Sequence, residues 1–109
     1  MKKILLSRLE SALKMGELDN LIDKLDKEGY SQIEIYDSYD RFCGKLQKEN
    51  RETEKEFVID VIDTIVHWGN RDFWHHFSLP MTWEEYFKKY NKLAYNYYKK
   101  NNKDLSDFV

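Results

Sequence analysis

The chain reads as an all-α protein, a compact bundle of four to five helices. Three observations predict this. Apolar residues recur at helical spacing along most of its length. Two segments carry a capping box with a hydrophobic staple, the signature of a helix start. One proline and four glycines leave few turns for a β-rich fold. The closest approach to a strand is QIEIYDSY, but its 3.6-residue spacing continues to Leu46 and argues helix.

A first helix is predicted over residues 2–15. Leu5, Leu9, Ala12 and Leu13 share its face, with Ile4 and Leu6 beside them. Glu10 and Lys14 form an i,i+4 pair in the favourable orientation, and Gly16 is placed to end the helix. A second, shorter helix covers residues 17–28. Its stripe is Leu18, Leu21, Ile22 and Leu25, Asp23–Lys27 is a second i,i+4 pair, and Gly29 stops it.

Tyr30-Ser31-Gln32-Ile33-Glu34-Ile35 marks the start of the third helix. Ser31 and Glu34 cap one another's amides, and Tyr30 and Ile35 form the staple. The apolar face is Ile35, Tyr36, Tyr39, Phe42, Cys43 and Leu46, and the helix ends in the polar run Gln47–Arg51. A fourth helix runs from Glu52 to Trp68, with Gly69 as its stop and acidic residues in its first turns. Its segment FVIDVIDTIVHW is the most apolar run in the chain. Phe57, Val58, Val61, Ile62 and Ile65 make one face, which predicts the central element of the core. Ile59 and Val66 lie toward its back, so either neighbours enclose the helix or these two residues form an exposed patch.

Residues 70–80, NRDFWHHFSLP, hold three large aromatics and two histidines. They read as a short helical turn or packed loop that plugs an open end of the bundle. A second capping signature follows, with Thr82–Glu85 as box and Met81–Tyr86 as staple. It predicts a fifth helix to about Lys100, with Tyr86, Phe87, Tyr90, Leu93, Ala94 and Tyr97 on its face. Residues 101–109 fray unless Leu105 and Phe108 dock.

At 109 residues the chain predicts one domain, with roughly two-thirds of its surface buried on folding. Aromatics at 16% argue against disorder. Eighteen basic and twenty acidic residues nearly cancel, so no global field draws in nucleic acid or a membrane. The single cysteine, Cys43, allows no intrachain disulfide and points to a reducing compartment, hence a cytoplasmic protein. The start, MKKILLSRLE, is too short in apolar residues for a signal peptide, and no run approaches a membrane span.

Three clusters invite a chemical reading. His67, His75 and His76 with Asp72 lack metal-ligand spacing. Adjacent histidines on a helix point about 100° apart, so the plainer reading is partly exposed groups or hydrogen-bonded rims of an aromatic cluster. Asp60, Asp63 and His67 fall at i, i+3, i+7, as an acid–base set would, but also as the solvated side of the fourth helix would. Tyr95, Tyr97 and Tyr98 with Lys92, Lys99, Lys100 and Lys103 mix stacking and phosphate-binding groups; cations near a helix C-terminus are also favourable without a ligand. No phosphate loop, nucleophile motif or cofactor motif is present, and Cys43 lies in an apolar stripe as a buried thiol. Glu17–Glu28 holds five acids against two lysines, and Glu34, Asp37 and Asp40 extend the bias to the third helix. Such a face is ordinarily solvated. In a protein that covers a basic partner it is the steering surface.

In size, helical class and acidic patches, with the segment EGYSQIEIYDSYDRF, the chain resembles the small all-α immunity proteins of bacterial toxin systems. Those proteins bind and neutralise a toxic nuclease domain. The resemblance implies a non-enzymatic, cofactor-free inhibitor that occludes a toxin's active site or substrate groove. Asp23, Asp26, Glu34, Asp37 and Asp40 are the expected contact residues. A nucleic-acid-associated regulator using the basic Tyr/Lys C-terminal helix is the alternative.

Overall fold

A computed structural model describes residues 3–66, 71–82 and 84. Among them are four α-helices, α1 (Lys3–Met15), α2 (Leu18–Lys27), α3 (Gln32–Lys48) and α4 (Glu52–Ile65), then a 3-10 turn at Arg71–Phe73. The all-α expectation therefore holds. Of the predicted fifth helix only Glu84 is described, as helical; the rest, including Glu85 and Tyr86 of its capping signature, lies outside the described residues, as do the tail and His67, Trp68 and Gly69. No helix among the described residues is long and apolar enough to cross a membrane.

The first three helices end in the same way. After α1, Gly16 takes φ 68°, the Glu17 amide donates to the Ala12 carbonyl and the Gly16 amide to that of Leu13. After α2, Gly29 takes φ 96°, and the amides of Tyr30 and Gly29 donate to the carbonyls of Leu25 and Asp26. After α3, the left-handed residue is Asn50 at φ 58°, and Arg51 and Asn50 donate to Leu46 and Gln47. All three are Schellman ends, which satisfy the last helical carbonyls and turn the chain back sharply. Asn50 does without glycine because asparagine tolerates the left-handed region better than other residues. The start of α3 is the capping box read from sequence: the Glu34 amide donates to Ser31 Oγ (3.3 Å) and the Ser31 amide to Glu34 Oε1 (3.0 Å).

The tight turns fold α1, α2 and α4 around α3, which packs against all three. α3 buries Ile35, Tyr36, Tyr39, Phe42, Cys43 and Leu46; α1 adds Leu5, Leu9 and Ala12, and α2 adds Leu18, Leu21, Ile22 and Leu25. Tyr39 is fully buried, and its hydroxyl donates to the Leu18 carbonyl at 2.7 Å, so the bulk of the ring costs no unmet polar group. The central element is thus α3. The expectation that placed α4 there is corrected, for α4 fully buries only Val58 and Ile65 within its length. Val58, Ile62 and Ile65 form its inward line. Phe57 and Ile59 fall about 100° to either side of Val58 and are 60% and 39% exposed. Val66, at the helix end, is 3% exposed. The two residues on the back of α4 therefore part company: one joins the core and the other faces outward.

Polar contacts tie the helices together at two places. At the first, Arg51, between α3 and α4, donates to both carboxylate oxygens of Glu10 on α1 (2.9 and 3.0 Å) and also reaches Glu49 and Glu54. Lys45 on α3 also reaches Glu10, at 3.0 Å. Glu10 is thus spent across the bundle on Arg51 and Lys45, whereas its sequence spacing suggested Lys14. Hydrogen bonds from Arg51 hold the Glu10 carboxyl down at about 2, against the cost of burial and with help from Lys45.

The second place is Gln32, the first residue of α3, only 3% exposed. Its amide nitrogen Nε2 donates to the Ile65 carbonyl (2.7 Å), Oε1 accepts from the Met81 amide (2.9 Å), and its backbone amide donates to the Leu79 carbonyl (3.0 Å). One side chain thereby joins the start of α3, the end of α4 and the segment after the 3-10 turn. That segment seats Phe77 and Met81 against the core, while Phe73 stays exposed and Trp74 half-buried. It was expected to plug an open end of the bundle; instead it runs along α2, and none of residues 72–80 is fully buried.

Two expectations follow. Gln32→Ala strands the Met81 amide and opens a small cavity, so it should cost about 2–4 kcal/mol by urea denaturation. Glu10 is lowered in the folded state, so its contribution is full above the ordinary carboxylate value of 4.5 and is lost as pH falls toward 2. Glu10→Gln should be less stable than the parent at neutral pH, and the two should converge in acid.

Candidate protein-binding surface

The acidic residues of α2 fall at Asp19, Asp23 and Asp26, i, i+4, i+7, one column on the outer side of a helix whose inner side is Leu18, Leu21, Ile22 and Leu25. Residues 74–78 lie against that column. His75 Nε2 is 3.0 Å from Asp19 Oδ1, and its Nδ1 is 3.3 Å from Asp23 Oδ1. The His75 side chain is 13% exposed, whereas those of Asp19 and Asp23 remain 63% and 65% exposed. The His75 amide donates to the Thr64 carbonyl on α4 at 3.2 Å. Ser78 donates twice to Asp26, from its amide to Oδ1 (2.9 Å) and from its hydroxyl to Oδ2 (3.1 Å). Asp23 thus meets His75 from 52 positions away, not its helical neighbour Lys27.

The five residues expected from sequence to meet a partner divide accordingly. Asp23 and Asp26 are engaged by residues 75–78. Glu34 caps α3 through Ser31. Asp37 accepts from Arg41 Nε at 2.9 Å, an i,i+4 pair on the exposed side of α3. Asp40 is exposed and its carboxyl is held above the ordinary range, first by partial desolvation and then by the charge of Asp37, with Arg41 opposing. Asp19 joins the set. Sequence counted it in the acidic stretch, but its i,i+4 relation to Asp23 was the signal that placed both under one imidazole.

The charges are distributed unequally. At the junction of α1, α3 and α4, Glu10, Glu49 and Glu54 are all met by Arg51 or Lys45. At the C-cap of α2, Glu28 is met by Arg8 in a two-bonded pair at 2.6 and 2.7 Å. Asp19, Asp23, Asp26 and Asp40 have no lysine or arginine partner among the described residues.

Beside the column lies a shallow groove of about 340 Å³, lined by Leu13, Lys14, Gly16, Leu18, Asp19, Phe57 and Val61. Phe57, the aromatic turned away from the core, forms part of its wall. Asp19 belongs to both features, so an acidic row and an apolar groove adjoin.

The other candidates assemble less. His75 is a neighbour of two aspartates, yet no group of three or more metal-ligating side chains occurs among the described residues. Asp60 and Asp63 are exposed on α4, and Asp63 is raised by partial burial and then by Asp60. Their third member, His67, lies outside the described residues, as does the basic Tyr/Lys segment. Cys43 is buried, and burial, with Asp40 adding, pushes its thiol up to about 11. No family model matches the chain, and neither does any curated protein or solved structure.

The thiolate is the reactive form, so Cys43 should be alkylated by iodoacetamide at least about 100-fold more slowly in the folded protein than in urea. Equal rates would place the thiol at the surface.

Proposed function

We propose that this is a protein-binding module of the toxin-immunity kind, which neutralises a basic toxin domain by covering its active site or substrate groove. The observation that carries the reading is the contrast in charge pairing. Arg51 and Lys45 neutralise the carboxylates at the helix junction, while Asp19, Asp23 and Asp26 on α2 and Asp40 on the exposed side of α3 meet no such cation among the described residues. Carboxylates held on helices without an arginine or lysine of the same chain steer a cationic partner and complement it on contact. The adjoining groove at Leu18, Phe57 and Val61 offers a place for an apolar anchor, the kind of contact that supplies most of the affinity in such interfaces. The mechanism needs no chemistry by this chain. Its helices supply a rigid, negatively charged cover, and the toxin loses access to its substrate.

The test is co-expression with a toxin domain encoded immediately upstream, followed by binding kinetics. Asp40→Lys is the discriminating variant, because Asp40 makes no hydrogen bond through its side chain among the described residues. It should leave the circular dichroism spectrum unchanged and slow association about tenfold at low salt, with the difference shrinking as salt rises. Cells that die despite co-expression would refute the immunity reading. Protection with an unchanged association rate would remove Asp40 from the surface.

A further inference from the structure

The fold leaves unused two residues that the sequence pairs within the molecule, and it leaves them at one place. Lys14 stands four residues after Glu10, but Glu10 is taken by Arg51 and Lys45. Lys14 is exposed and enters no hydrogen bond or ion pair among the described residues. Glu54, whose carboxyl feels its charge, is bonded to Arg51. Phe57 falls on the predicted apolar face of α4 but turns outward. Both residues line the groove of about 340 Å³ where the end of α1 and the start of α2 meet α4, together with Leu13, Leu18, Val61 and Asp19.

This patch complements itself. A two-fold interface joins a surface to a copy of itself, so whatever protrudes must meet a recess and each charge its opposite. Here Phe57 protrudes. Leu13, Leu18 and Val61 form an apolar recess whose volume, at the lower end of those that take a small ligand, has room for one aromatic ring. Lys14 supplies an unpaired cation, and Asp19 a carboxylate that stays mostly exposed beside His75. Met15, between Lys14 and Gly16 in the chain, adds an exposed apolar side chain; phenylalanine and methionine are both enriched where proteins meet. A net charge of −2 sets up no strong repulsion between copies. A basic partner that seats an apolar anchor here leaves Lys14 facing like charge, whereas a second copy brings Asp19 to it.

We propose that this groove is the interface of a symmetric dimer, in which Phe57 of each copy enters the groove of the other and Lys14 of each meets Asp19 of the other. The contact is small, so the pair is weak, with a dissociation constant of about 10–1,000 µM. The inference does not rest on the toxin reading. Where both hold, a partner that seats an anchor in the groove displaces the second copy, so the protein is paired when free and concentrated and single when bound.

The test is sedimentation velocity of the full chain at low salt, from about 10 µM to about 2 mM. The parent should pass from single chains toward pairs over that range. Phe57→Ser should stay single throughout with an unchanged circular dichroism spectrum, since the side chain is exposed. Lys14→Glu and Asp19→Lys should each dimerise at least about threefold more weakly. Mixed in equal amounts, these two variants should pair with each other about as tightly as the parent pairs with itself. The mixed pair sets opposite charges at both contacts, while each variant alone sets like charges. Asp19→Lys also gives up the His75 contact; if it fails to fold, Phe57→Ser and Lys14→Glu decide. A parent that remains single at the highest concentration overturns the dimer. So does a dimer that Phe57→Ser leaves intact, because the contact then lies elsewhere. A mixture that pairs no more tightly than its components overturns the two-fold meeting of Lys14 with Asp19. A parent that never dimerises, but whose Phe57→Ser variant loses a bound toxin domain, assigns the groove to that other protein and overturns the second copy.

Discussion

A buried glutamine at the start of α3 organises what the rest of the molecule presents. Gln32 has almost no contact with solvent, so each polar atom of its side chain must find a protein partner or destabilise the fold. It finds the last carbonyl of α4 and the Met81 amide, and its own amide takes the Leu79 carbonyl. These bonds close the end of α4 against the start of α3 and fix where residues 79–81 lie. Once they are fixed, the residues just before them come to rest along α2. There the segment is also held by Phe77 against the core and by the His75 amide on the Thr64 carbonyl.

Around that point the helices are set by local devices that act without knowledge of the whole. Three Schellman ends and one capping box turn the chain at Gly16, Gly29, Ser31 and Asn50. Each satisfies backbone groups that would otherwise be left open at a helix end. The Arg51 cluster then joins elements that these turns have brought together. Its contribution comes from a bidentate pair with Glu10, partly shielded, and not from the number of charges, since the outer pairs with Glu49 and Glu54 are well exposed.

The polar surface and the core follow different economies of charge. Where helices meet, carboxylates are paired with arginine or lysine. On the outer side of α2, they are met by a histidine and a serine from a distant segment. A partner that brings arginine or lysine to that side gains contacts that the chain itself does not supply. The proposed binding surface is therefore the side on which the chain supplies no arginine or lysine of its own.

The all-α class, four helix positions and the starts and stops at Gly16, Gly29 and Ser31 were legible in the sequence, because they depend on spacing and on groups within a few residues. The acidic bias of α2 and α3 was legible for the same reason. The rest was decided by packing. Helical periodicity defines an apolar arc on α4 but not which edge of it turns inward, so Phe57 was placed in the core and lies outside it, and Ile59 and Val66 parted. The prominence of FVIDVIDTIVHW reflected its composition, while the central place went to α3, which buries more residues than any other described helix. Local pairing rules pointed Glu10 to Lys14 and Asp23 to Lys27; tertiary structure brought them Arg51 and His75 from 41 and 52 residues away. Sequence determined what each stretch could become, because capping and periodicity are short-range. Only the tertiary structure decided which carboxylates meet an arginine or lysine and which meet a histidine or serine, because that depends on residues that meet solely when the chain is folded.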